Sequence, residues 1–316
     1  MTHTIVLALA PIFFVMALGY AAGRWRIVDN RQVDGFNLLV MDFALPAALF
    51  AATASAPRRE MLAQAPLFAV LAIVMMVLFV AWYGLVRRLF RTSPANAALE
   101  ALTIAFPNLA GVGLPILQAV LGPTGAVPLA VALAAGTIVV SPVSLILVEL
   151  SRPRAAGSAE PPATRLLRVL RTALTKPVVV APALGIAYSL AGFDLGDIVD
   201  ACLLLIGHAA AGVALFLTGL ILSAQAFRLD WKIAGATGMA DIVRPLVTAA
   251  VVFSLPIPVE AAKVAVLLSA VPSGFFGILF AVNYRLDSAA MGSMVIASTG
   301  VSIVTMAIAI AALFPQ

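Results

Sequence analysis

Between Glu100 and Glu149 the chain carries no Asp, Glu, Lys or Arg. That run is long enough for two membrane spans of about 20 residues each. The bulk composition agrees. Of the 316 residues, 63% are apolar and 10% charged, against about 45–50% and about 25% in soluble chains. A water-soluble fold of this makeup would lack polar surface to face its solvent. The apolar segments are continuous and show none of the period-two alternation, in segments of about 10 residues, that a membrane barrel requires. The sequence therefore specifies an all-α integral membrane protein.

Ten spans can be marked. The first five lie near Thr4–Ala22, Phe36–Ala54, Pro66–Val86, Ala101–Leu121 and Ala126–Val148. The second five lie near Pro177–Ala191, Ala201–Ser223, Ile233–Ser254, Ala261–Val282 and Ser288–Phe314. Alternate loops differ sharply in basic content. One set holds Arg24, Arg26, Arg31, Arg87, Arg88, Arg91, six residues between Arg152 and Lys176, then Arg228, Lys232 and Arg285. The other holds only Arg58, Arg59 and Lys263. Lys and Arg are retained on the cytoplasmic side, so both termini are expected outside a bacterial inner membrane. The same rule accounts for the net charge of +5 without nucleic acid.

The organisation expected is a first five-helix repeat over 1–148, a basic cytoplasmic linker over 149–176 and a second repeat over 177–316. The linker is polar and turn-rich, and Arg165, Arg168 and Arg171 recur three apart. Two readings of it stand: a solvated loop, or a short helix lying on anionic membrane lipids. The one cysteine, Cys202, excludes an internal disulfide and a Cys-based zinc site.

Shifting the sequence by 166 residues aligns its halves. Ala17-Leu18-Gly19 meets Ala183-Leu184-Gly185, Pro11 meets Pro177, and Ala48-Leu49-Phe50 meets Ala214-Leu215-Phe216. A shift of 165 brings Pro107 onto Pro272. Five spans per half is an odd number, so the second half enters the membrane from the opposite side. Such inverted repeats suit secondary transporters, in which two near-equivalent packings alternate.

The fourth and ninth spans are both interrupted. Phe106-Pro107-Asn108-Leu109-Ala110-Gly111-Val112-Gly113-Leu114-Pro115 carries two prolines, two glycines and an amide. Val271-Pro272-Ser273-Gly274-Phe275-Phe276-Gly277 repeats the pattern. Proline removes a backbone donor and obstructs the preceding turn, while glycine permits non-helical dihedrals. Unwound backbone at membrane depth must face protein or a wet cavity. The amides opening each second half-helix favour an anion. Pro107, Asn108, Gly111, Pro272, Ser273 and Gly274 are therefore the expected substrate site.

These motifs resemble the auxin efflux carrier family, which includes plant auxin exporters and bacterial carboxylate and malonate carriers. The resemblance rests on Pro11-Ile12-Phe13, Ala17-Leu18-Gly19-Tyr20, Ala44-Leu45-Pro46-Ala47-Ala48-Leu49-Phe50, Phe106-Pro107-Asn108, Gly113-Leu114-Pro115, Val271-Pro272 and Asn283-Tyr284. It implies a fold like the bile-acid symporters, with spans four and nine crossing at their breaks. It further implies an elevator-type moving domain on a scaffold of spans one, two, six and seven, often dimeric through that scaffold. The family's crossover proline and asparagine fall on Pro107 and Asn108. Its asparagine after the second proline is replaced here by Ser273, and this stretch looks more like the bacterial carboxylate branch.

Ionisable groups inside spans are costly and invite a function. Asp241 and Arg244 share one helix face at i and i+3. They form either an internal ion pair or a substrate site, with the Arg244 fork holding a carboxylate. Asp42 and His208 are repeat mates. With Asp241 they are the candidate coupling groups, at opposite depths in the membrane. No cofactor or metal is expected. His3 and His208 are the only histidines, and neither a nucleophile elbow nor a phosphate loop occurs. The function expected is alternating-access transport of a small organic carboxylate, malonate or similar, with an auxin-like acid second. An anion channel and a membrane sensor are the alternatives.

Overall fold

The computed structural model describes residues 2–29, 32–121, 125–152, 161–224 and 227–314. Arg31, Arg154 and most of the linker's turn-rich stretch lie outside them. Every described element is a helix, apart from one isolated bridge. Those of eight residues or more are, in order, α1 (Thr2–Arg24), α2 (Val33–Ala54), α3 (Ala65–Leu89), α4 (Pro94–Ala105), α5 (Leu114–Leu121), α6 (Val127–Ser151), α7 (Pro162–Leu174), α8 (Pro177–Leu190), α9 (Gly196–Ser223), α10 (Trp231–Ser254), α11 (Val259–Ser269), α12 (Phe276–Asn283) and α13 (Ala289–Leu313). Among the described residues, α2, α3, α6, α9, α10 and α13 are each long and apolar enough to cross a membrane alone. Helices α4 with α5, and α11 with α12, are interrupted pairs lying on the fourth and ninth expected spans.

The fourth span begins earlier than its charges suggested. Ser93 accepts the Asn96 amide at 3.3 Å, and Pro94 occupies the first turn, where its missing N–H costs nothing. Glu100, taken from the sequence as lying outside the span, is buried inside α4. Lys232 Nζ donates to it at 2.8 Å. A charge ends a span only when it has no partner within reach.

Two seams hold backbones in close contact. Helix α1 runs along the second half of α9, where Gly19 leaves no room for a Cβ against the Phe216 carbonyl. Helix α8 runs along the second half of α2, where Gly185 does the same against Thr53 and the Phe50 carbonyl. Gly185 and Phe216 lie 166 residues beyond Gly19 and Phe50. Small residues let membrane helices approach this closely, and the gain is dispersion rather than burial from water.

Four helices contain a π-helical turn: Leu39–Ala44, Leu109–Gly113, Gly136–Val140 and Met239–Val243. Such turns are frequent at functional sites, and two of them carry Asp42 and Asp241. Between the halves, α7 exposes Leu166, Leu167 and Leu174 while burying Val169 and Ala173. It meets α8 at a bend of 65°. Both described ends of the linker converge on Tyr284. The Arg152 guanidinium lies 5.5 Å and the Lys176 ammonium 5.6 Å from its ring centroid.

Candidate functional site

The two interruptions meet. Pro107 and Ser273 form an antiparallel bridge, the Asn108 N–H donates to the Pro272 carbonyl at 2.8 Å, and the Gly274 N–H donates to the Thr103 carbonyl at 2.9 Å. Gly274 is required at this point because a Cβ there would collide with the Phe106 carbonyl. Phe106 and Phe276 stack beside the joint, with centroids 4.7 Å apart. The six crossover residues singled out in the sequence are thus brought to one place.

The first interruption satisfies much of its own backbone. Asn108 Oδ1 accepts the Gly111 N–H at 3.0 Å, and the Asn108 carbonyl accepts from Val112 at 3.0 Å and Gly113 at 3.2 Å. Asn108 is only 4% exposed, and its side-chain oxygen acts here as a helix cap. The second interruption draws on other helices. Ser298 of α13 accepts the Ser273 N–H at 2.8 Å and donates its own hydroxyl to Asp241 Oδ1 at 2.8 Å. The hydroxyl of Ser273 has no partner among the described residues, and neither does Asp241 Oδ2.

Arg244 completes the joint. Its Nε donates to the Ser269 carbonyl at 2.8 Å, and its two terminal nitrogens donate to the carbonyls of Ile104 and Val271. These carbonyls end α4 and α11, where an interrupted helix leaves acceptors unpaired. The guanidinium is fully buried, and the hydrogen bonds it makes go to backbone carbonyls. No direct ion pair joins it to Asp241 among the described residues. One planar fork therefore clips both first half-helices together.

Beside the crossover lies a cavity of about 230 Å³. Ala110, from the π turn after Asn108, lines it together with Leu45 and Leu49 of α2, Leu129 and Leu133 of α6, and His208 of α9. His208 is its one ionisable wall residue. Asp42 lines other cavities, so the structure separates it from its repeat mate. Ser298 and Thr103 escaped sequence analysis. A membrane helix with several Ser and Thr residues does not show which hydroxyl reaches another helix, since most return to their own helix's carbonyls, and Thr103 contributes only its carbonyl. The one available signal for Ser298 is that the second break lacks the amide its counterpart has.

Comparison with known proteins bears on what this joint serves. A family profile described as membrane transport protein matches residues 4–310. The uncharacterized transporter YfdV of Escherichia coli (strain K12) is 31% identical over 280 residues, covering 88% of this chain and 87% of its own. Auxin efflux carrier component 8 of Arabidopsis thaliana is 25% identical, covering 90% of both chains. A candidate malonate transporter of Rhizobium meliloti (strain 1021) is 25% identical, covering 67% of this chain and 65% of its own.

Proposed function

We propose that this chain, which belongs to the membrane transport protein family of the auxin efflux carriers, moves a small organic carboxylate across the bacterial inner membrane by alternating access. The observation that carries this is the cavity beside the crossover, whose lining includes both His208 and Ala110. Its imidazole offers a ring N–H to one carboxylate oxygen. The volume of about 230 Å³ suits a small acid, and the interrupted backbone beside it is secured by protein hydrogen bonds rather than exposed to lipid. In this reading Pro107, Asn108, Gly111, Pro272, Ser273 and Gly274 shape the site, while Arg244 holds the joint without touching substrate.

Two inverted five-helix repeats, 1–148 and 177–316, joined by a cytoplasmic linker and with both termini outside, supply the two exchangeable packings. The mated seams, Gly19 on Phe216 and Gly185 on Phe50, support this arrangement, and so does the asymmetry of Lys and Arg between alternate loops. Helices α1, α2, α8 and α9 form the scaffold, through which two copies pair, and the crossover pairs travel against it.

Malonate is suggested by the Rhizobium relative's name. The cavity favours a second reading, because its walls are apolar apart from His208. One imidazole beside leucines and alanines suits a monocarboxylate with an apolar body better than a dicarboxylate, whose second charge would meet no partner. The deciding experiment is a thermal-shift screen of the purified protein against mono- and dicarboxylates, with and without sodium, at two pH values. Stabilisation by apolar monocarboxylates that is lost in His208→Ala is expected. Stabilisation by malonate that survives His208→Ala would reverse the choice. Exchange of labelled for unlabelled substrate in vesicles is expected of a carrier; non-saturating conductance would indicate a channel instead.

A further inference from the structure

A second, polar cavity of about 210 Å³ lies between the beginning of α2 and the end of α12. It shares no wall residue with the His208 cavity. From α2 it is lined by Asp34, Asn37, Leu38, Met41 and Asp42, positions i, i+3, i+4, i+7 and i+8 of one helical stripe. Asn283 and Arg285 line the opposite side. Arg285 is held at φ 55°, a conformation that L residues rarely adopt outside turns.

Asn37 makes this more than a cluster of acids. It is 4% exposed, and its Nδ2 donates to the Leu279 carbonyl at 3.0 Å. That bond fixes which way the amide faces, so the remaining atom is Oδ1, an acceptor, and it has no partner among the described residues. A buried carbonyl oxygen left unpaired carries its full desolvation cost. No ion pair among the described residues engages Asp34, Asp42 or Arg285. Two carboxylates against one guanidinium leave the cavity with one net negative charge.

We propose that this cavity binds an alkali-metal cation, with the carboxylates of Asp34 and Asp42 and the Oδ1 of Asn37 as its oxygen donors. Hard cations take carboxylate and amide oxygens. A single positive charge neutralises the site as Arg285 leaves it. The proposal goes beyond the carboxylate reading and does not depend on it, because the cation is tested without any organic acid.

The test uses purified full-length protein in lipid nanodiscs, with choline chloride exchanged for LiCl, NaCl, KCl, MgCl2 or CaCl2 at constant ionic strength and thermal unfolding as the readout. Any cation that binds only the folded state raises the unfolding temperature saturably. A saturable rise with at least one alkali cation is expected, and Asp34→Asn and Asp42→Asn should each weaken its apparent affinity about tenfold or more, the measure of one lost charged ligand. Arg285→Gln should tighten the same affinity several-fold, since it removes the resident positive charge. No alkali response, a response to divalent cations alone, or one that survives both Asp variants would overturn the proposal. So would Arg285→Gln lowering the unfolding temperature in choline with no gain in cation affinity, which would make Arg285 itself the partner of the carboxylates.

Discussion

The two interruptions occupy equivalent places in the halves but are held in different ways. At the first, Asn108 reaches forward to the Gly111 amide, so the turn is capped from within. At the second, Ser273 makes no such bond, and its hydroxyl has no partner among the described residues. Ser298 takes its N–H, Arg244 takes the carbonyls before it, and Asp241 anchors Ser298. A local device has been replaced by a distributed one. The first break should therefore tolerate changes in neighbouring helices, whereas the second depends on α10 and α13 staying in register.

This contrast can be broken most severely at Arg244. Arg244→Ala strands the carbonyls of Ile104, Ser269 and Val271 and should cost about 3 kcal/mol or more, as several buried acceptors lose their partners together. The readout is thermal unfolding in detergent. Arg244→Lys, with one compact ammonium in place of a fork, should recover part of that loss and depress mono- and dicarboxylate transport equally. A selective loss of dicarboxylate transport would instead place Arg244 against substrate.

Gly274→Ala drives a methyl group into the Phe106 carbonyl and should cost about 1–3 kcal/mol, the usual range for overpacking. Transport should fall more than expression does, because the strain sits at the joint. Ser298→Ala leaves the Ser273 amide without its acceptor and should cost about 1–3 kcal/mol. Asn108→Ala should cost about 1 kcal/mol, the typical value of a lost cap. The smallest effect sharpens the comparison most. Ser273→Asn, introduced into the Ser298→Ala variant, should restore up to about 1 kcal/mol by returning a local cap to the second break. A double-mutant cycle on unfolding free energies measures that coupling. Strict additivity would mean that the two breaks are not interchangeable in this way.

Much of the fold was legible because membrane solvent leaves few choices. A helix lies on each of the ten apolar segments, and the sixth, Pro177–Leu190, ends within one residue of the boundary drawn from hydropathy. Pro107 and Pro272 marked the interruptions, since proline acts on its own backbone. What stayed hidden was pairing across the sequence. Glu100 passed for a loop residue because Lys232 is 132 residues away. The three-residue spacing of Asp241 and Arg244 offered an ion pair or a substrate site, whereas Arg244 is engaged by the ends of two other helices. His208 was grouped with Asp42 by repeat position, while the packing places it on the same cavity as Ala110. Local chemistry is written along a chain, but the identity of a distant acceptor is not.

Main-chain atoms make the bonds between Asn108 and Pro272 and between Gly274 and Thr103. Every residue supplies a backbone carbonyl and every residue but proline an N–H, so such a fastening places few demands on the side chains around it. Leucines and alanines in the neighbouring wall can be exchanged over generations for other shapes while the hinge-pin stays the same. A lineage built on this plan can redecorate the neighbouring cavity without rebuilding the joint beside it.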